Sequence, residues 1–295
     1  MNTSRRQLCK GLALAGVSAG SLISFAPRVS AAQGVTGSLQ GNIRHSVSRW
    51  TYAELPIEQL CQTVKSLGFA AIDLVGPEDW PVLKEYGIDS SMCNGAELNL
   101  TDGWADERFH KALIRRYLRH IDLVAGAGYT NLICFSGNKR GISPDAGLAN
   151  AVKGLKQILP HAEKRGVVLQ MELFNSKVDH PDYMADNSAW GIELCQALGS
   201  EHFQLLYDIY HMQISEGDII RTIRDNHQYF GHYHTAGVPG RHEIGDNQEL
   251  NYRAIAEAIK EMDFKGYLAQ EFIPTPPTVK GKIDSLREAV AICDV

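Results

Sequence analysis

Lys164-Arg165-Gly166-Val167-Val168-Leu169-Gln170-Met171-Glu172 carries the reading of the fold. A helical stretch closes on Gly166, and an apolar run begins at once and ends on a carboxylate. A glycine just past a helix terminus accepts the left-handed turn that points the chain back toward a strand. The same junction recurs at Ser66-Leu67-Gly68, Ala127-Gly128 and Phe264-Lys265-Gly266. Working outward, short apolar runs predict strands over 42–47, 70–75, 88–93, 131–135, 167–172, 203–208, 229–234 and 267–271. Helical periodicity lies between them, over 57–67, 108–127, 146–164, 189–198, 252–262 and 282–292. A weaker pattern covers 80–86, and 218–226 reads as a short helix. Strands alternating with helices imply parallel pairing through right-handed crossovers. Residues 32–295 have the length of one (β/α)8 TIM barrel, a single-domain α/β fold. The competing doubly wound sheet would need a Gly-x-Gly-x-x-Gly turn after the first strand to bind a dinucleotide, and there is none.

The first 31 residues read as an address. Ser4-Arg5-Arg6-Gln7-Leu8 precedes an apolar run from Gly11 to Phe25, and Val29-Ser30-Ala31 is a small-residue cleavage pattern. This is the layout of a secretory signal peptide, and its arginine pair matches a twin-arginine signal. The expectation is a leader over 1–31, engagement of the twin-arginine export machinery, and a periplasmic or secreted protein. The apolar run is short for a membrane span, so no stable anchor is expected.

The chain has 29 Lys plus Arg and 34 Asp plus Glu. Arg5, Arg6, Lys10 and Arg28 would leave with the leader, which holds no acid; 25 basic against 34 acidic residues gives −9. That charge disfavours nucleic acid and anionic membranes as partners. Cys9, Cys61, Cys93, Cys134, Cys195 and Cys293 form no Cys-x-x-Cys pair, so buried reduced thiols are expected. Ser136-Gly137 lacks the Gly-x-Ser-x-Gly elbow of a serine hydrolase.

Four consecutive predicted strands end in groups able to hold a metal: Glu172, Asp208, His234 and Glu271. In a barrel the C-terminal strand ends share one rim, where active sites lie. Three carboxylates and one imidazole suit Mn²⁺ or Mg²⁺, with Co²⁺ or Zn²⁺ admitted by the imidazole.

The segment Leu205 to Asp218, with Asp208-Ile209-Tyr210-His211 at its centre, resembles a signature of the hydroxypyruvate isomerase family. So do Gly231-His232-Tyr233-His234 and Val238-Pro239-Gly240-Arg241-His242-Glu243. Asn99-Leu100 through Gly103-Trp104-Ala105, Leu132 through Gly137, Asn251-Tyr252 and Gly266 through Phe272 extend the likeness. The wider group is that of the xylose-isomerase-like sugar isomerases and epimerases. The resemblance implies a divalent metal on Glu172, Asp208, His234 and Glu271, with Glu172 and Glu271 as the proton-transfer pair. Hydroxypyruvate isomerases usually have Gln at the position of His234, whereas the sugar epimerase branch has His.

The activity implied is aldose–ketose isomerisation of a small hydroxy-carbonyl compound such as hydroxypyruvate or tartronate semialdehyde. It proceeds by proton transfer through an enediolate. Alternatives are a sugar or keto-sugar epimerase or lyase, and a periplasmic sugar-binding protein without catalysis; homo-oligomerisation is left open. For substrate contacts, His211 is expected to reach a substrate oxygen from the loop after its strand. Arg241 is expected to clamp a carboxylate or hydroxyl pair. Glu243 is expected to orient Arg241, and Trp104 to cover the pocket. Trp50 reads as packing or surface, His180 as surface or loop, His232 as a residue supporting His234, and His45 as a strand histidine.

Overall fold

A computed structural model of the protein describes residues 39–295. The expected leader, 1–31, lies outside the described residues. The strands are β1 (Arg44–Val47), β2 (Ala71–Ile72), β3 (Asp89–Ser90), β4 (Asn131–Cys134), β5 (Val168–Glu172), β6 (Phe203–Asp208), β7 (Phe230–Thr235) and β8 (Tyr267–Gln270). Six pair in parallel in the order β1-β8-β7-β6-β5-β4, and β2 pairs with β3. Parallel bridges Ser48–Asp73 and Cys93–Leu132 join the two sets and close the ring. This is the expected barrel.

The helices are α1 (Ile57–Ser66), α2 (Trp80–Tyr86), α3 (Glu107–Ala127), α4 (Pro144–Leu155), α5 (Leu159–Arg165), α6 (Ser188–Leu198), α7 (Ile209–Ser215), α8 (Ile219–Asn226), α9 (Tyr252–Glu261) and α10 (Val279–Cys293). Their ends follow local chemistry. The Asp106 side chain accepts from Arg108 N at the start of α3, and Gly128 takes a φ of 81° after its end. Asn187 and Thr278 cap α6 and α10 in the same manner.

Three departures from the expected elements have physical causes. The helix expected over 146–164 is two helices, because Pro160 has no N–H to give and its ring clashes with the carbonyl one turn back. The strand expected over 70–75 pairs regularly for two residues only; Leu74 has a φ of 55°, which takes the chain out of the pleat. His211 lies in the first turn of α7, not in a loop, because the Asp208 side chain accepts from His211 N and starts a helix there.

Large apolar residues from strands and helices fill the layer between barrel and helix ring, and Cys61, Cys93, Cys134, Cys195 and Cys293 are free and buried within it. Two rim loops touch through glycines: a Cβ on Gly103 would fall 2.3 Å from Gly137 N. No helix among the described residues is long and apolar enough to cross a membrane.

Candidate metal centre

Glu172 is the last residue of β5 and Asp208 the last of β6, while His234 lies in β7 directly opposite Asp208. Glu271 follows β8, its N–H continuing the ladder to Thr235 O. Adjacent parallel strands therefore carry all four to the same rim. One donor atom from each lies within 4.8 Å of the others, and all four residues are buried. His234 Nδ1 lies 3.0 Å from Glu172 Oε1, 2.8 Å from Glu271 Oε2 and 4.0 Å from Asp208 Oδ2.

Three buried carboxylates around one imidazole strain the local electrostatics. Burial pushes the Glu172 carboxyl up to about 7, against the pull of His234. Burial likewise raises Asp208 to about 6, against Arg241. Burial would raise Glu271 as well, but His234 and Arg241 outweigh it and hold it well below the usual carboxylate range. His234 and Arg241 offset part of this negative charge, and a cation seated among the carboxylates would offset more. The hard, oxygen-rich donor set with one imidazole fits a divalent ion of the Mn²⁺, Mg²⁺, Co²⁺ or Zn²⁺ kind.

Arg241 reaches the same carboxylates. Its Nη2 lies 2.5 Å from Glu271 Oε2 and 3.3 Å from Asp208 Oδ2, while its Nε is buried without a partner. His211 is fully buried, and burial holds its pKa well below that of a free imidazole. Asn175 Nδ2 lies 2.7 Å from His211 Nδ1 and donates to it, which assigns the ring proton to Nε2. That nitrogen has no partner and is 3.6 Å from Asp208 Oδ2.

Beside the cluster is a cavity of about 360 Å³ whose lining includes Trp50, Leu74, Glu97, Phe135, Phe174, His180 and Arg241, together with Glu172 and Glu271. Phe174 stacks on His180 at 4.1 Å between ring centres.

Four expectations need correction. Trp104 does not cover the pocket; it is fully buried against His110 and Tyr117, because the Gly103–Gly137 contact presses its loop into the helix layer. Glu243 does not orient Arg241; its carboxylate accepts from Thr275 N, Thr275 Oγ1 and Ser285 Oγ, and so ties down the segment after β8. Trp50 is not mere packing: its indole N–H donates to Glu271 Oε1 at 2.7 Å. His180 is a loop residue, as expected, but a half-buried one that lines the pocket. Asp73, unmarked in the sequence reading, lies fully buried 2.8 Å from His234 Nε2. Both Trp50 and Asp73 follow the ends of barrel strands, so extending the strand-end rule to the first half of the chain would have found them. An aspartate inside Ala70-Ala71-Ile72-Asp73-Leu74-Val75 is itself a signal of a buried, partnered carboxylate.

A family model described as xylose isomerase-like TIM barrel matches residues 61–289. A 2-oxo-tetronate isomerase of Cupriavidus necator is 32% identical over 120 residues, covering 41% of this chain and 45% of that protein. A putative hydroxypyruvate isomerase of Homo sapiens is 32% identical over 111 residues, 38% of this chain and 40% of its own. The matched region thus spans less than half the length of these two relatives. A 2-oxo-tetronate isomerase of Pectobacterium atrosepticum is 23% identical over 243 residues, 78% of this chain and 91% of its own. Among solved structures, an AP endonuclease, family 2, from Brucella melitensis superposes with a TM-score of 0.73 at 20% identity, over 81% of this chain and 96% of that one. A 3-keto-D-glucoside 4-epimerase from E. coli gives 0.69 at 21%, over 83% and 97%. The IOLI protein, solved with a zinc atom, gives 0.68 at 16%, over 85% and 98%. At these identities the structural likeness concerns the fold.

Proposed function

The chain belongs to the xylose isomerase-like TIM barrel family, and we propose that it is a divalent-metal-dependent isomerase moving a proton between neighbouring carbons of a small hydroxy-carbonyl substrate, hydroxypyruvate or a related 2-oxo acid. The observation that carries this is the convergence of Glu172, Asp208, His234 and Glu271 at one rim, open to a cavity. A divalent cation held by these four residues would supply Lewis-acid stabilisation of negative charge on substrate oxygens. Glu172 and Glu271 both line the cavity, so one can remove the proton beside the carbonyl and the other return it. Trp50 donates to Glu271 Oε1 and Arg241 to Oε2, which fixes that carboxylate in place. Arg241, which lines the cavity, has an unpartnered Nε as a donor for a substrate oxygen, and His211 holds an unpartnered Nε2–H beside Asp208.

A second reading, an epimerase or lyase acting on an uncharged sugar or keto-sugar, is favoured by one observation. Among the described residues Arg241 is the only lysine or arginine lining the cavity, and its Nη2 is already held by two carboxylates, while Glu97 adds a further negative group and the wall is largely aromatic and aliphatic. A substrate carboxylate would have to share Arg241; a neutral sugar would not.

The test is incubation of the Mn²⁺-loaded protein in deuterated water with hydroxypyruvate and, separately, with ketoses. Deuterium at the exchanging carbon, with product identity, distinguishes the two readings. Glu172→Gln and Glu271→Gln should each cut the exchange rate by about 10²- to 10⁴-fold. Sugar binding without exchange in any metal-loaded sample would instead mark a binding protein. The leader belongs to the same proposal, with the twin-arginine machinery as export partner and a periplasmic or secreted destination. Replacing Arg5 and Arg6 by lysine should leave the uncleaved chain in the cytoplasm.

A further inference from the structure

Asp73 lies at the end of β2, three strands round the barrel from β7, yet its carboxylate reaches the far side of His234, the proposed ligand histidine. Three polar groups meet it. Ser91 Oγ donates to Oδ1 at 2.6 Å, and His234 Nε2 lies 2.8 Å from Oδ2. His232 Nε2 is 2.9 Å from Oδ1. Asp73, His232 and His234 are all fully buried. The backbone is bent to allow this. Leu74, the next residue, is held at a φ of 55°, and the Asp73 N–H and C=O are pinned to Val47 O and Arg49 N. A branched residue stays in that region only where its surroundings over-determine it.

An imidazole has two nitrogens and, when neutral, one proton. Carboxylates lie at hydrogen-bond distance from both nitrogens of His234; a divalent ion among Glu172, Asp208 and Glu271 would take the Nδ1 lone pair, and Asp73 would keep the one remaining proton on Nε2. The contact also fixes the rotation of the ring. We propose that Asp73 is the positioning residue of the centre: by holding the Nε2–H of His234 it sets the tautomer and the aim of the Nδ1 ligand, with Ser91 and His232 holding Asp73 in turn. The proposal rests on the metal reading above and goes beyond it in assigning affinity to a residue that touches no ion. Carboxylates behind ligand histidines commonly set metal affinity by about 10- to 100-fold.

The experiment is Mn²⁺ binding to the metal-free full chain, by competition with a chromophoric chelator, for the parent, Asp73→Asn, Ser91→Ala and Glu172→Gln. The parent should bind one ion per chain. Asp73→Asn should bind about 10- to 100-fold more weakly with the same stoichiometry, and Ser91→Ala should fall between it and the parent. A positioning role also leaves a signature that variants are not needed to see. In the Zn²⁺-loaded parent labelled with ¹⁵N-histidine, His234 should carry its proton on Nε2, protected from exchange, with Nδ1 as the ligated nitrogen. Affinity unchanged in Asp73→Asn, an Nδ1-protonated His234, or two ions in the parent falling to one in Asp73→Asn would each overturn the proposal; the last would make Asp73 a ligand of a second ion. If the parent takes up no divalent ion, the metal reading itself falls. If the parent binds and Asp73→Asn binds equally well, only the role of Asp73 falls.

Discussion

Trp50 shows how a single half-exposed side chain can belong to a buried centre. The residue is 43% exposed, yet its indole N–H reaches Glu271 Oε1, and the Arg241 guanidinium lies 5.4 Å from its ring centre. Trp50→Phe keeps the aromatic face for Arg241 and deletes the donor. A hydrogen bond to a charged group contributes about 1.5–3 kcal/mol, so kcat should fall by about tenfold or more, and Mn²⁺ affinity should fall with it because Glu271 is also a proposed ligand. Steady-state kinetics beside a metal titration checks this. An unchanged kcat would mean that Glu271 does not depend on the indole.

At the scale of the element, β1 carries a histidine of a different kind. His45 is buried near Phe69, and neither ring nitrogen has a partner. Burial lowers its pKa to about 4, outweighing the nearby Asp294 carboxylate. The unfolded chain takes up this proton near pH 6.5 and the folded chain only near pH 4, so between those values the unfolded state binds more protons. Stability from this group is complete above about pH 6.5 and is lost as the pH falls toward 4, by about 3 kcal/mol in total. Urea unfolding at pH 7 and pH 4 should show His45→Leu losing less stability on acidification than the parent by roughly that amount. Equal losses would mean that the strand relaxes enough to admit a charged ring.

For the whole molecule, an ion held by the proposed ligands would tie β5, β6, β7 and β8 together at one rim, and His234 and Asp73 would extend the tie to β2. An ion bound only by the folded state adds stability that grows with its concentration, about 2.7 kcal/mol at one hundred times Kd. For a chain of this size that is roughly 5–10 °C in Tm. Scanning calorimetry with saturating Mn²⁺ and then with excess chelator should show this difference, together with loss of activity in the chelated sample. A Tm insensitive to the chelator would count against an ion at this rim.

The order of strands and helices, the barrel closure they imply and the meeting of Glu172, Asp208, His234 and Glu271 at one rim were all legible from residue types alone. Helix-ending glycines, apolar runs and strand-terminal acids are local chemistry, and parallel topology then dictates that strand ends share a rim. What the tertiary structure decided was partnership between residues distant in the chain. Trp104 could be read as a pocket cover until the Gly103–Gly137 contact placed it in the helix layer, and Glu243 could be read as the partner of Arg241 until Thr275 and Ser285 claimed it. Trp50 meets Glu271 across 221 positions of chain, and Asp73 meets His234 across 161. The side chain that meets another across a closed barrel depends on register and ring closure, which join strands far apart in the chain, and no local pattern of residues encodes that pairing.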